Sequence, residues 1–509
     1  MSINKKIIVT AVAGLALGMS SCKKYLDVNT NPNVAQNGTV NTLLPAAQLH
    51  VASAVGTDLQ INGAIWSQFW TQSPDGKEYI PFDQCDPKAD AYNVAWRNLY
   101  AGASNFYQLY KVADAQYKDQ YRGIALLMQA YTFQTLTDGW GDVPFTEALR
   151  GQNADGHLVN PKYDSQRVVY RGIITYIDSA TRIIANGNNS APGTDDLVYG
   201  GNMNKWMRFA NTLKLRTILR MSSVDPVYAQ TMMDTLYKYN PQFLAEGDDA
   251  VIRFGNGANN KNPLYAELSA MEMGGVQQIA GSKTVIDSMN SNNDYRGVAF
   301  YQPVNMMGLV GITQSEYDIK LPSGSFSIPS VYTGADAGSM LSANAGVVLL
   351  SSWESYFLQA EAIARGMTTG DDAQMFYAGI RASFVYNSNA IQTQAGIAAI
   401  TAYNRYVNGD VGLSLVPARW AAYPVGGTTD DKVRFIITQK WFAMAGNQGF
   451  EAWTELRRTG YPDFIVTPRN SRIGNNVPSR FLYPASEAAT NSNYPGLAPV
   501  TSGMWWDTL

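Results

Sequence analysis

Apolar and aromatic residues return at three- and four-residue steps along several stretches of this chain. That period constrains the fold more than any other feature, because only a helix gathers such residues on one face. Tyr92, Ala95, Trp96, Leu99, Ala103, Phe106, Tyr110 and Ala113 form one stripe, and Tyr117, Tyr121, Ile124, Leu127, Met128 and Tyr131 form the next. The second run stops at the turn cluster Asp138-Gly139-Trp140-Gly141, with Pro144 beyond, so the two predict a helical hairpin. The arrangement recurs over residues 165–184 and 203–221, then at Trp353 to Ala364, Phe376 to Phe384, Val433 to Ala445 and Phe450 to Arg458. Stacked hairpins of the tetratricopeptide kind follow, although no strict 34-residue sequence period is visible.

Between the helical blocks, residues 246–350 break into short apolar pieces such as Val251 to Phe254 and Gly346 to Leu350, separated by Gly, Asn, Ser and Pro. Residues 461–509 carry six prolines and no helical period. The expected fold is therefore mainly α, with tetratricopeptide-like helical hairpins, long ordered loops and minor β. A helical scaffold spans about 41–240 and 351–460.

The amino terminus predicts export. Lys5 and Lys6 precede an apolar run from Ile7 to Gly18, then Ser20, Ser21 and Cys22, which reads as a signal peptide over residues 1–21. The Met-Ser-Ser-Cys end is similar to a bacterial lipobox, with Met19 in place of the usual leucine, and makes Cys22 the expected lipidation site. Residues 22–40 read as a tether. The one other cysteine, Cys85, has no partner once Cys22 is acylated, so packing alone must hold the fold.

Hydrophobic residues make up 46% of the 509 and charged residues 16%, which suits a globular chain rather than a disordered one. The net charge of −3 is spread without a basic stripe, so nucleic acid is not an expected partner.

Six blocks, in order, give the chain a resemblance to the SusD/RagB family of nutrient-binding lipoproteins. Tyr25-Leu26-Asp27-Val28-Asn29 with Asn31-Pro32-Asn33 resembles the family's start, and the run from Asp138 to Phe145 resembles its early turn. Helical blocks from Trp206 to Arg216, Glu354 to Ala362 and Gly449 to Arg458 follow, and Arg480 to Glu487 with Asn491 resembles the closing motif. Two positions depart from the pattern: Tyr295 stands where proline is common, and Lys23-Lys24 replace acidic residues after the lipid cysteine. The resemblance implies one SusD-like domain over residues 41–509, with 246–350 on the ligand side. It implies a lipid-anchored position on the outer membrane facing the cell surface, an oligosaccharide or peptide ligand, and a SusC-like TonB-dependent transporter as partner. It implies no catalysis.

The residues that carry chemistry agree with a binding role. The only histidines are His50, within an apolar helical pattern, and His157, in a loop, and no serine sits in a nucleophile elbow. Four adjacent acidic pairs occur, at 195–196, 248–249, 371–372 and 430–431, but sequence neighbours do not place two carboxylates across a glycosidic bond. The pairs at 371–372 and 430–431 precede helices and are expected to cap them. No metal cluster or cofactor motif is present; a loop-bound calcium is the one ion left open. Glu354 and Glu361 on one helix are expected to pair with Arg457 and Arg458 on another, and Trp206, Trp353, Trp441 and Trp453 to lie in the core.

Aromatic residues outside the helical period are the binding candidates, since sugar rings offer flat C–H faces to indole and phenol. The segment from Ile65 to Phe82 concentrates Trp66, Trp70, Asp75, Tyr79 and Phe82, and leads on to Trp96 and Asn98. Trp66 and Trp70 equally fit one helix face. The resemblance adds Tyr301 and Tyr332 from the middle loops. Two rivals remain, an exported helical glycoside hydrolase and a repeat scaffold without a small ligand.

Overall fold

The computed structural model describes residues 38–151, 156–187, 191–257, 260–271, 276–305, 308–322 and 324–507. The expected signal peptide, Cys22, the tether as far as residue 37 and the Tyr25–Asn33 block lie outside them. Thr39–Leu509 form one unit.

The chain opens with α1 (Val40–Gly56) and α2 (Asp58–Trp66), then the short strand β1 (Trp70–Gln72) and the turn-length α3 (Ile80–Asp83). The first predicted hairpin is α4 (Asn93–Ala115) and α5 (Asp119–Trp140). Strands β2 (Val143–Pro144) and β3 (Tyr163–Asp164) lead into α6 (Gln166–Asn186), α7 (Met203–Met221) and α8 (Pro226–Tyr237). The middle region is not all loop. It holds β4 (Ala250–Ile252), α9 (Pro263–Met271), β5 (Ile279–Gly281), α10 (Lys283–Ser291), α11 (Gly297–Phe300) and β6 (Val347–Leu350). The later scaffold is α12 (Ser352–Ala364), α13 (Asp372–Tyr386), α14 (Ser388–Ala395), α15 (Ala399–Asn408), α16 (Thr429–Met444) and α17 (Gly449–Thr459), and α18 (Ala485–Thr490) sits in an otherwise irregular end.

The hairpins pack as the period predicts: α4 on α1 and α5, α5 on α6, and α12 on α13 and α16. Helix α5 is buried on nearly every side from Gln120 to Trp140, so its polar side chains turn back on their own backbone. Thr132 and Thr135 donate to the carbonyls of Met128 and Tyr131, four residues earlier, at 2.7 and 3.0 Å. Helices α2 and α17 cross at backbone distance, because a Cβ on Gly63 would come within 2.3 Å of the Phe450 nitrogen. The capping expectation holds as well. The Asp371 side chain accepts from the Gln374 N–H, and Thr428 with Asp431 closes a capping box at the start of α16.

Charges are buried where α7, α12, α16 and α17 meet. Arg220 lies 2.5 Å from Glu451 and 3.4 Å from Glu455. Lys440 stands between Glu354, Glu451 and Glu455 at 3.6, 3.3 and 3.4 Å. Arg458 bridges Glu361 and Glu455 at 2.7 and 2.6 Å, as the sequence suggests for Glu361. Burial alone would raise the carboxyl of Glu451, but Arg220, Lys440 and Arg216 hold it below its usual value. Arg457 differs from its neighbour. It donates to the carbonyls of Asp138 and Ser479 at 2.9 and 2.8 Å, and lies 3.4 Å from the centre of the Trp453 ring. Trp206, Trp353, Trp441 and Trp453 are all in the core.

Candidate ligand-binding face

Strand β1 has an antiparallel partner more than 200 residues away: Trp70 faces Gly281 and Gln72 faces Ile279 in β5. This short ladder brings the early aromatic segment to the middle region. Beyond it the chain turns through residues 73–79, and two glutamines clamp the turn. The Gln278 carbonyl accepts from the Ser73 N–H at 3.0 Å, and its side-chain oxygen accepts from the N–H groups of Lys77 and Glu78 at 3.1 and 3.2 Å. The Gln72 amide donates to the Gln278 carbonyl at 3.0 Å and accepts from the Tyr79 N–H at 2.6 Å. A Cβ on Gly76 would meet the Gln278 side-chain oxygen at 2.4 Å, so a larger residue there displaces the clamp. Asp75, Lys77 and Glu78 are thus displayed on a backbone whose donors are occupied.

The turn runs directly into a set of tyrosines and methionines. Tyr79 packs its ring 6.2 Å from that of Phe82, and its hydroxyl lies 3.5 Å from the Met271 sulfur at the end of α9. At the start of the same helix, the Tyr265 hydroxyl lies 3.0 Å from the Met340 sulfur. Asn262 fixes that start, donating to the Ala345 carbonyl at 2.9 Å and accepting from the Tyr265 N–H at 3.0 Å. These elements display large apolar side chains to solvent: Met271 is 40% exposed, Val276 39%, Met340 47% and Leu341 65%. Exposed thioether and apolar side chains beside a firmly held turn make this the candidate face.

Three carboxylates lie behind this face. Burial first, and then the nearby charge of Glu267, push Asp58 up to about 7. Burial and then Glu78 raise Glu267 in turn. At the end of α3, Asp83 accepts from the Thr71 hydroxyl, the Gln72 N–H and the Gln314 amide at 2.8, 3.1 and 2.6 Å, and burial pushes it up to about 7. Among the described residues no group of three His, Cys, Asp or Glu side chains is placed to hold a metal ion.

The sequence candidates divide. Tyr79, 4% exposed, is buried behind this face, to which the exposed Asp75 and the half-buried Phe82 and Tyr332 belong with the loops beside it. Trp70 and Tyr301 do not, because both are fully buried; the Tyr301 hydroxyl donates to the Phe69 carbonyl at 2.9 Å, and no sugar ring can stack on either. Trp96 and the half-buried Asn98 sit on α4. The Trp96 ring packs 5.3 Å from Trp140 and lines a separate cavity of about 230 Å³ with Tyr100, Pro161 and Asn491. Trp66 ends α2, so it shares no helix face with Trp70, and its indole N–H donates to the Phe82 carbonyl at 2.9 Å. It lines another cleft, of about 270 Å³, beneath residues 460–478. Tyr265, Met271, Met340 and Gln278 escape sequence reasoning; Met340 in a polar loop is the only hint among them.

The adjacent carboxylates are occupied by structure. Asp195 accepts from the Tyr121 hydroxyl at 2.8 Å, and Asp196 accepts from Gln48 and from the Trp206 indole N–H, both at 2.8 Å. Asp248 pairs with Arg208 and Lys205, and Asp249 accepts from the N–H and hydroxyl of Ser352 at 2.7 Å.

A family model described as "Starch-binding associating with outer membrane" matches residues 32–484. A SusD homologue from Bacteroides uniformis has a TM-score of 0.73 at 23% identity, over 92% of this chain and 99% of its own. A SusD-like protein from Bacteroides thetaiotaomicron has a TM-score of 0.73 at 22% identity, over 92% and 99%. A structure described as a chitin-binding protein has a TM-score of 0.70 at 25% identity, over 91% and 100%. These relatives have the same mainly helical fold with few short strands. No curated protein matches the chain. Among the described residues no helix is long and apolar enough to cross a membrane.

Proposed function

The chain belongs to the SusD-like family, and on that premise we propose that it captures an oligomeric nutrient on the face built around residues 73–79 and passes it, unbroken, to a SusC-like TonB-dependent barrel. Acylation of Cys22 would hold it on the outer membrane, facing the cell surface, with no part inserted. The observation that carries this reading is the clamp of Gln72 and Gln278, which fixes the early turn against α9 and the middle loops. A rigid frame with aromatic and thioether side chains on its surface suits an extended ligand that must be held without chemistry. Neutral oligosaccharides rank ahead of peptides, in keeping with the starch-binding description of the family and the chitin-binding relative.

The test is calorimetry on a soluble form beginning at Tyr25, against malto-oligosaccharides, chito-oligosaccharides and peptides, with product analysis of the same samples. Saturable binding that Met340→Ala weakens, without product, supports the proposal. Release of product would move the protein to the hydrolase reading, and silence across all panels to the scaffold reading.

A further inference from the structure

Where the irregular carboxyl-terminal segment folds back over the start of α6, residues 141–142, 163–166, 480–483 and 495–505 border a cavity of about 310 Å³. Two opposite charges line it without neutralising each other. Arg480 is 9% exposed, and no carboxylate among the described residues pairs with it. One terminal nitrogen, Nη2, donates to the Trp140 carbonyl, and Nε makes a long bond of 3.4 Å to the Phe481 carbonyl. The other, Nη1, has no carbonyl or carboxylate to donate to and is not sealed from solvent. Neighbours that share the lining hold the guanidinium at the wall. It lies 4.7 Å from the centre of the Tyr483 ring, and the Cβ position of Gly141 is 3.5 Å from both terminal nitrogens.

Asp142 is the counterpart. It is exposed, its Oδ1 accepts from the Gln166 N–H at 2.9 Å, and Oδ2 has no partner among the described residues. Tyr483 ties the two charges together. Its hydroxyl donates to the Asp142 backbone carbonyl at 2.7 Å; burial raises that hydroxyl, Arg480 pulls it down and Asp142 pushes it up. The polar ends of Tyr163 and Gln166 are already committed. Tyr163 donates to Glu487 at 2.6 Å, and Gln166 donates to the Thr137 carbonyl at 2.9 Å while its oxygen accepts from the Trp505 backbone N–H at 2.6 Å. Apart from the Trp505 indole, the side chains of the lining therefore offer the N–H groups of one cation and one carboxylate oxygen, beside the apolar Leu497 and Met504. A simple anion would gain from Arg480 and lose to Asp142, and a simple cation the reverse. A neutral sugar would leave both charges unanswered. A molecule that carries both charges gains from each.

We propose that this cavity is a second binding site, sharing no residue with the loop face, and that it takes a zwitterion: a neutral α-amino acid with an apolar side chain. The carboxylate accepts from Arg480 Nη1, the ammonium donates to Asp142 Oδ2, and the side chain lies along Leu497 and Met504.

The probes are leucine, isocaproate, which is leucine without its ammonium, isoamylamine, which is leucine without its carboxylate, and glucuronate, a carboxylate on a sugar. Each is titrated into the soluble chain beginning at Tyr25 and followed by ligand-observed NMR. Leucine should bind at least about tenfold more tightly than any of the other three, since each lost charge gives up a charge-assisted hydrogen bond. Asp142→Asn keeps an oxygen for the Gln166 N–H, so the fold stays intact. The same change should cost leucine about tenfold and strengthen isocaproate, because the repulsion on the carboxylate is gone. A merely structural Asp142 would move neither. Arg480→Gln should abolish binding of both acids, and Asp142→Asn decides the matter if that variant does not fold. Equal affinity for leucine and isocaproate, tighter binding of glucuronate than of leucine, no binding of leucine, or an unchanged order of the probes in Asp142→Asn would each overturn the inference.

Discussion

Two regions of this molecule treat polarity in opposite ways. Where α7, α12, α16 and α17 meet, charged groups are buried and each carboxylate has cations within about 4 Å. At the loop face, Met271, Met340 and Leu341 stand in water. Each arrangement is costly on its own terms, one in desolvation and the other in exposed apolar surface. The interior compensates through mutual pairing. The face has no such internal compensation, and a surface of that kind is explained by something that covers it.

The sharpest way to break this contrast is to remove Glu451, which serves Arg220, Arg216 and Lys440 together. Glu451→Ala should destabilise the fold by about 3–5 kcal/mol, because it strands buried cations. Urea unfolding followed by tryptophan fluorescence measures the shift, and a loss under about 1 kcal/mol would mean that water reaches the cluster.

Next in size is the clamp. Gln278→Ala removes the acceptor for the Lys77 and Glu78 N–H groups and lets the turn loosen, at a cost of about 1–3 kcal/mol confined to this region. Amide hydrogen exchange should quicken over residues 73–79 and remain slow in α5. Faster exchange throughout the chain would show that face and scaffold are not separate in stability.

How legible these two regions are in the sequence differs for the same physical reason. The long helices can be read directly, since a 3.6-residue period declares which side is buried; α7 spans the 203–221 range that its stripe predicts. Gly346 to Leu350 is readable as an apolar piece, but its partner in β4 is not. The face depends on a three-residue ladder between β1 and β5, too short to carry a period and joined across the length of the chain. Without that pairing, an aromatic in a non-helical stretch has no legible direction. Trp70 and Tyr301 therefore look like platform residues and lie in the interior, whereas Met271, at the end of a short helix, gives no sign that it points outward.

The two regions should also separate on a pH axis. Asp58 and Asp83, both pushed up to about 7 mainly by burial, keep their protons in the folded state between about pH 4 and 7 while the unfolded chain loses them. Raising pH through that window therefore favours unfolding, and stability falls. In the ion cluster Glu451 and Glu455 run the other way, while burial raises Glu354 beside them. Glu451 and Glu455 are held low by their cations, against the effect of burial, and their contribution is present above the ordinary glutamate value and lost only in acid below it. Urea midpoints should be lower at pH 7.5 than at pH 5, and Asp83→Asn should flatten that difference. An unchanged difference in Asp83→Asn would place the titration at other groups.

The smallest effect on stability belongs to the face itself, where it sharpens the comparison most. Leu341→Asp changes a side chain that is 65% exposed, so the fold should shift by no more than about 0.5 kcal/mol. If the apolar surface is there to meet a ligand or the barrel, the same change should cost about tenfold in affinity for whichever it meets, because a carboxylate would be desolvated against an apolar partner. Calorimetry with the best oligosaccharide, and co-purification with the barrel, separate the two occupants. A loss in the first alone assigns Leu341 to the nutrient, and a loss in the second alone assigns it to the transporter. With neither loss, and with the thermal midpoint also unmoved, Leu341 would be one more scattered apolar residue of an ordinary surface, and the candidate face would shrink to Phe82, Met271 and Met340.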